Sequence, residues 1–397
     1  MKKALVIVVT LVMLISMIAG CAQTTTTATT AATTAATTTG AGTTAATTTA
    51  ATTTASGEKI KIGIDFFNWT MPLSIDMMSI LDSAEETLGC EIEYSENNFE
   101  TEKLITNVEN LFASGCQVVN ICNSGDAQVQ QAVKIAEKND GVIFQFFRTL
   151  NDQAVIDYVM KSKSYGGQIH EDELSVGYNL GLILAEKGAK KVGLMNYTRG
   201  DLTAETRQAG YEKAFAEKGI EVVAETWDVT TSELGTKTTE NYLAAYPDIG
   251  AVVLVGGGSE AVYGITSALK SAGKAGKVLF TTTDFYDGQD ADLKDGTLSG
   301  ISGGHWCDPF FGFMMAYNTA AGAFKDGGLP KEIALDMIYL ASGDDADLFA
   351  KWFEESLPYT PDEIKAMSFV HNPDFTLDGF VATAKALSID DVVKRHG

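Results

Sequence analysis

From Ile60 to about residue 340, short apolar runs alternate with longer segments whose apolar residues recur every three to four positions. A run of about five apolar residues bounded by turn formers reads as a buried strand, and a 3.6-residue period as a helix lying on it. "KIKIGIDFF" predicts a strand. In "PLSIDMMSILDSAEETLG" the spacing of Ile75, Met78, Leu81 and Leu88 predicts a helix stopping at Gly89. Strand "CEIEYSE", helix "ETEKLITNVENLFASG", strand "QVVNICN", helix "DAQVQQAVKIAEKN" and strand "GVIFQFF" follow, then a loop and "AVIDYVMKS". After "SYGGQIHEDE" a second series runs in strict order from helix "LSVGYNLGLILAEKG" to strand "KVLFTTTDF". Strand "GTLSGISGG", helix "PFFGFMMAYNTAAGAFKDG", strand "EIALDMIYLA" and a helical tail complete the chain.

Such alternation is the signature of β-α units stacked on parallel sheets. The segment from Gly57 onward holds about 340 residues, more than one core usually supports, so two domains are expected.

The N-terminus has a different pattern. Lys2 and Lys3 precede "ALVIVVTLVMLISMIAG", which is short for a membrane span and reads as an export signal over residues 1–20. It ends in "IAGC", which resembles the bacterial lipobox, whose cysteine, here Cys21, is lipidated and becomes the mature N-terminus. Residues 21–56 then collapse to threonine and alanine without charge, a composition that cannot bury a core. A flexible stalk of that length would hold its ends about 30 Å apart. These features place the rest of the chain outside the cytoplasm, anchored to the bacterial cell membrane.

Charge narrows the partners. The chain carries 29 basic and 52 acidic residues, a formal net charge of −23. Nucleic acid and anionic lipid would repel it, so no nucleic-acid partner is expected. Beyond Cys21 there are Cys90, Cys116, Cys122 and Cys307. A strand between Cys116 and Cys122 would hold them ~20 Å apart, which forbids a disulfide. No zinc-ligand spacing occurs, and buried free thiols are expected.

The order of these pieces resembles the type I periplasmic binding proteins, particularly the ribose/galactose-type solute-binding proteins of ABC importers. The stretches that carry the resemblance are "IKIGI" followed by Asn68, "LGCEIEYSENN", "QAVKIAEKNDGVIFQFFR", "TRQAGYEKAFAEKGIEVV", "YPDIGAVVLVGGGSEAVYGITSALKSAGK" and "TTTDFYDG". It implies an α/β fold of two doubly wound, Rossmann-like lobes joined by three crossovers, with the ligand in the cleft between them. The lobes would span 58–169 plus 305–330, and 170–304 plus 331–397 with the tail. Hinge closure on a small polar ligand, delivery to an ABC permease, no cofactor and a monomeric state are implied as well. A ligand sensor for a membrane receptor kinase would keep the same fold.

Sugar recognition needs flat apolar faces for the ring and fixed polar forks for its hydroxyls. In the loop after the first strand, Phe67, Asn68 and Trp69 are candidates. The resemblance adds Arg148, Arg207 and Asp284, matching hydroxyl-binding positions of the relatives. Phe147 stands where those relatives usually carry an aspartate, a departure from the ribose pattern. Trp227, His305 and Trp306 are further candidates, and Asp172 matches a crossover position that a helix N-cap explains equally well. The acidic run around Asp287 lacks the order of a calcium loop, so no metal is expected there. No G-x-S-x-G elbow and no H-E-x-x-H occurs, and an enzyme is not expected.

In "VVLVGGGSEAVYG", Gly256, Gly258 and Ala261 fit the G-x-G-x-x-A spacing of a dinucleotide site. The exported context and the late position of this unit in its lobe argue against that use. The resemblance puts Gly258 at the cleft, where the relatives carry an asparagine side chain. Its absence suits a bulkier or partly anionic ligand.

Overall fold

A computed structural model describes residues 59–70, 72–256, 260–324, 328–329 and 331–397. The leader, Cys21, the stalk and Gly258 lie outside the described residues. In the first lobe the order is β1 (Lys61–Phe66), α1 (Pro72–Leu88), β2 (Glu91–Glu96), α2 (Thr101–Ala113), β3 (Val118–Ile121) and α3 (Asp126–Lys138). It continues with β4 (Val142–Phe146), α4 (Gln153–Val159) and β5 (Tyr165–Glu171). The second lobe runs α5 (Glu173–Glu186), β6 (Lys191–Met195), α6 (Leu202–Lys218), β7 (Glu221–Thr226), α7 (Ser232–Ala245) and β8 (Ala251–Leu254). Its remaining elements are α8 (Ala261–Ser271), β9 (Leu279–Thr283), α9 (Gln289–Lys294) and β10 (Gly300–Gly303).

A 3-10 turn, His305–Cys307, leads back to α10 (Asp308–Ala320), which lies against β3, β4 and β5. This helix is apolar on all sides, and burial of Phe310, Phe311 and Phe313 in the first lobe explains why. The chain then adds β11 (Glu332–Leu335), β12 (Ile338–Leu340) and α11 (Gly343–Phe349). A π-helical turn, Ala350–Glu354, α12 (Pro361–Ala366), α13 (Leu377–Ala386) and α14 (Ile389–His396) complete it.

The strands form two six-stranded sheets, ordered β11-β5-β4-β3-β1-β2 and β12-β10-β9-β8-β6-β7. Every pairing is parallel except β12 against β10. Both are doubly wound orders, in which the carboxyl ends of the strands leave a crevice where the winding reverses.

Three features differ from the sequence reading. The buried face of α1 consists of Met77, Ile80, Leu81, Ala84 and Leu88, while Ile75 is exposed. The stripe is rotated because α1 packs against α10, the 3-10 turn and α12 as well as beside β2. The segment "EIALDMIYLA" is two strands: β11 pairs with β5, and the chain crosses at Asp336 so that β12 pairs with β10 in the other sheet. The expected boundaries at 169/170 and 330/331 therefore move, since β5 stays in the first sheet through Glu171 and β11 belongs there too. The tail expected with the second lobe touches both, α11 packing on α9 and β12, α12 on α1, and α13 on β11. Cys90, Cys116, Cys122 and Cys307 are buried free thiols. Burial in apolar surroundings pushes the Cys90 thiol up to about 12.

Candidate functional site

The ends of both sets of strands line a cavity of about 440 Å³. From the first lobe come Phe66 and Phe67 at the end of β1, and Phe147 and Arg148 at the end of β4. Tyr197 follows β6, Gly256 follows β8, Asp284 follows β9 and His305 follows β10. Thus a single topological rule gathers residues spread over more than two hundred positions.

Two of these positions are strained. Phe147 has φ 64° and Asp284 φ 68°, left-handed values costly for residues with a Cβ. Each is held by its backbone amide, Phe147 donating to the Ile169 carbonyl at 3.0 Å and Asp284 to the Ser302 carbonyl at 2.7 Å. The turn directs the Asp284 side chain into the cavity and sets Phe147 edge-on to His305, ring centroids 5.4 Å apart.

Asp65 organises the aromatic wall. It is buried at the end of β1 and accepts hydrogen bonds from Ser95 Oγ (2.7 Å), Asn97 Nδ2 (2.6 Å) and Asn107 Nδ2 (2.6 Å). Burial raises its pKa and these three donors oppose the rise. The loop fixed in this way presents Phe99, stacked on Phe67 with centroids 4.0 Å apart. The Arg148 guanidinium lies over Phe67 at 5.7 Å, and its backbone carbonyl accepts from Gln145 Nε2 at 2.8 Å.

The charged part of the wall comes from the crossovers and from α6. Arg207 is 7% exposed and is gripped by Glu173 through two hydrogen bonds, one from Nη2 to Oε1 at 3.0 Å and one from Nε to Oε2. Burial alone would lower the pKa of Arg207, but the carboxylates of Glu173 and Asp284 outweigh it. Asp201 caps α6 by accepting from Ala204 N at 2.8 Å. His305 Nδ1 stands 3.7 Å from Asp284 Oδ1 and 3.8 Å from Glu171 Oε1. Neither Asp284 Oδ1 nor His305 Nδ1 has a hydrogen-bond partner, although both atoms are shielded from solvent. Burial lowers the His305 pKa, with the negative charge of Asp284 working against it, so its ring is neutral at neutral pH.

Glu171 and Asp308 face each other where two crossovers meet, 5% and 2% exposed. Burial holds both well above the ordinary carboxylate range, and the negative charge of Asp308 raises Glu171 further. A raised carboxyl pKa contributes stability that is present at low pH and lost as pH climbs from about 4.3 through the folded value. Glu171→Gln is therefore expected to flatten the fall in melting temperature above that range and to raise it at pH 8. Parallel melting profiles from pH 4.5 to 8 would count against the raised Glu171 carboxyl.

Of the residues singled out from sequence, Phe67, Arg148, Arg207, Asp284 and His305 share the cavity. Others do not line it. Asn68 accepts from Thr70 N at 2.7 Å and Thr70 Oγ1 at 2.6 Å, an Asx turn that shapes the loop. Trp69 turns back to donate to the Ser95 carbonyl at 2.7 Å and packs on Tyr94. Trp227 bonds Glu225 and lies under Arg199, whose guanidinium is 4.3 Å from its ring. Trp306 is buried against Phe353 and borders a neighbouring cavity. Asp172 caps α5, accepting from Ser175 N at 3.1 Å, on the margin of an adjoining 870 Å³ space. Sequence reasoning missed Phe99, Glu171, Glu173, Tyr197 and Asp201. Among the described residues no group of three or more His, Cys, Asp and Glu is arranged to hold a metal ion.

A family model described as a periplasmic binding protein domain matches residues 61–306. The chain belongs to this family. This binding protein is 26% identical over 225 residues to the ribose import binding protein RbsB of Salmonella typhimurium, covering 56% of this chain and 72% of the relative. The D-ribose/D-allose-binding protein of Pseudomonas aeruginosa is 25% identical over 202 residues, covering 50% and 53%. In fold it is similar to an ABC transporter periplasmic solute binding protein from Actinobacillus succinogenes solved with bound D-allose. The TM-score is 0.61 at 21% identity, over 73% of this chain and 99% of that one. AraP, an arabinose binding protein from Geobacillus stearothermophilus, gives a TM-score of 0.61 at 16% identity, with the same coverage. The doubly wound two-lobe α/β fold is thus the fold of this family, and the relatives named here are solute-binding proteins.

Proposed function

We propose that this binding protein captures a sugar or sugar-like polyol between its lobes and passes it to an ABC permease, anchored outside the cytoplasm by a lipidated Cys21 and acting as a monomer. The observation that carries the reading is the cavity where Arg148 from one lobe and Asp284 from the other converge, with unpaired Asp284 Oδ1 and His305 Nδ1 at its wall. Phe147, Phe67 and Phe99 supply apolar faces for ring C–H groups, and Arg207 keeps guanidinium donors beyond the two that Glu173 takes. Ribose and allose, named for relatives, set the class of ligand. Phe147 in place of an aspartate favours a ligand other than ribose. Glu173, Asp201 and Asp284 outnumber the two guanidiniums, which favours a neutral or cationic ligand over the partly anionic one expected from Gly258.

Isothermal titration against a panel of pentoses, hexoses, polyols and nucleosides tests this. At least one sugar should bind, and Arg148→Ala and Asp284→Ala should each weaken it by about 1–3 kcal/mol, since a polar partner is left unpaired in a desolvated site. A folded protein that binds no sugar or polyol would refute the assignment. For the anchor, Cys21→Ala should move the protein from the membrane fraction to the soluble one; unchanged retention would remove lipidation at Cys21.

A further inference from the structure

A second cavity of about 700 Å³ adjoins the first across Leu73, Asp284 and His305. Its far wall is made by the tail: Phe349 from α11, and Phe353 and Glu354 from the π-helical turn. The turn is closed by an i to i+5 hydrogen bond from Glu355 N to the Ala350 carbonyl at 2.8 Å. Such single π turns are frequent at functional sites. The tail lies beyond residues 61–306, the part of the chain that the family model matches.

The chemistry of this cavity differs from that of the first. Phe285, Tyr286, Trp306, Phe349 and Phe353 line it, with Phe285 edge-on to Phe349 at 4.8 Å and Phe349 stacked on Phe353 at 5.0 Å. Its charged residues are Asp76, Asp284, Asp287 and Glu354, with no lysine or arginine in the lining. Burial raises the carboxyl pKa of Glu354, and the negative charges of Asp290 and Asp76 raise it further. The neutral His305 ring offers no compensating charge. Aromatic faces together with carboxylates are the arrangement that binds organic ammonium groups. An ammonium group would gain from these carboxylates where a neutral unit would not, and an anion would be repelled. At the junction, the unpaired Asp284 Oδ1 and His305 Nδ1 await a donor from the ligand.

We infer that the tail builds a second subsite for an amine-bearing unit of the ligand, joined to a polyhydroxyl unit in the first cavity. The ligand class is an aminated glycoside. This rests on the sugar-binding reading of the first cavity. The probes are glucose, cellobiose, glucosamine and the β-1,4-linked glucosamine disaccharide, titrated into wild type and into the Asp76→Asn/Glu354→Gln double variant. Both substituted residues are exposed, and melting curves check that the variant is folded. Wild type should bind the glucosamine disaccharide about tenfold more tightly than cellobiose, a difference of about 1.4 kcal/mol. The double variant should lose that preference while binding glucose, which occupies the first cavity alone, as wild type does. Equal affinity for the two disaccharides, or a preference that survives in the double variant, overturns the subsite and leaves the first cavity's role standing. Failure of all four probes to bind overturns the subsite as stated, and failure across the wider panel as well overturns the sugar reading itself.

Discussion

Gly177→Ala should cost about 3 kcal/mol of stability, at the upper end of what overpacking of an interior costs. Helices α5 and α6 approach closely because Gly177 and Gly210 present no side chain at the crossing. A Cβ on Gly177 would lie 1.8 Å from the Arg207 carbonyl oxygen, and one on Gly210 would lie 2.1 Å from the Leu174 carbonyl oxygen. Those neighbours are backbone atoms within helices, so relief requires the helices to separate. Separation would also pull Arg207 on α6 from Glu173 on α5, so one methyl group reaches the wall of the cleft. Urea unfolding measures the effect, with Gly125→Ala as the control, because a Cβ there meets nothing within 4 Å and φ is −166°. A Gly177→Ala variant as stable as the control would contradict the helix contact.

Arg207→Ala should destabilise by about 3–5 kcal/mol, because it leaves the Glu173 carboxylate buried without its partner. The side chains of the pair are 8% and 17% exposed, so water can replace little of what is lost. Asp284, whose charge also acts on Arg207, would be left facing the same low-dielectric space. Removing both charges with Glu173→Gln/Arg207→Met should recover much of the loss, since neither buried charge remains. Denaturant unfolding of both single variants and the double variant gives the coupling. An Arg207→Ala variant with wild-type stability would show that the pair does not hold the cleft wall.

These two effects bear on what the sequence made legible. The alternation of apolar runs and helical periods was enough to place the strands, because parallel strands buried on both faces need continuous apolar runs. It also marked strand ends, and Phe67, Arg148 and Asp284 lie there. Glu171 and Glu173 escaped notice because they occupy a crossover, where function depends on which lobe the chain enters next. No local pattern carries that information. Trp69 and Trp227 mislead for the opposite reason: an aromatic at a strand end fits a sugar, but each indole finds a nearby acceptor instead, the Ser95 carbonyl and Glu225. The split of "EIALDMIYLA" was hidden because residues on both sides of Asp336 are equally apolar, and only pairing partners distinguish β11 from β12.

The strained turns at Phe147 and Asp284 tie fold to function most closely. Both follow the fourth strand of their series, and both store conformational cost at the cavity wall. Asp284 keeps a shielded, unpaired oxygen there, a cost that a ligand hydroxyl or ammonium would offset.

The most direct test is a crystal structure of the protein with a sugar found to bind by titration. Electron density for the ligand is expected between the lobes, within hydrogen-bond distance of Arg148 on one side and Asp284 on the other. Density lying elsewhere on the molecule, with neither residue in contact, would contradict it.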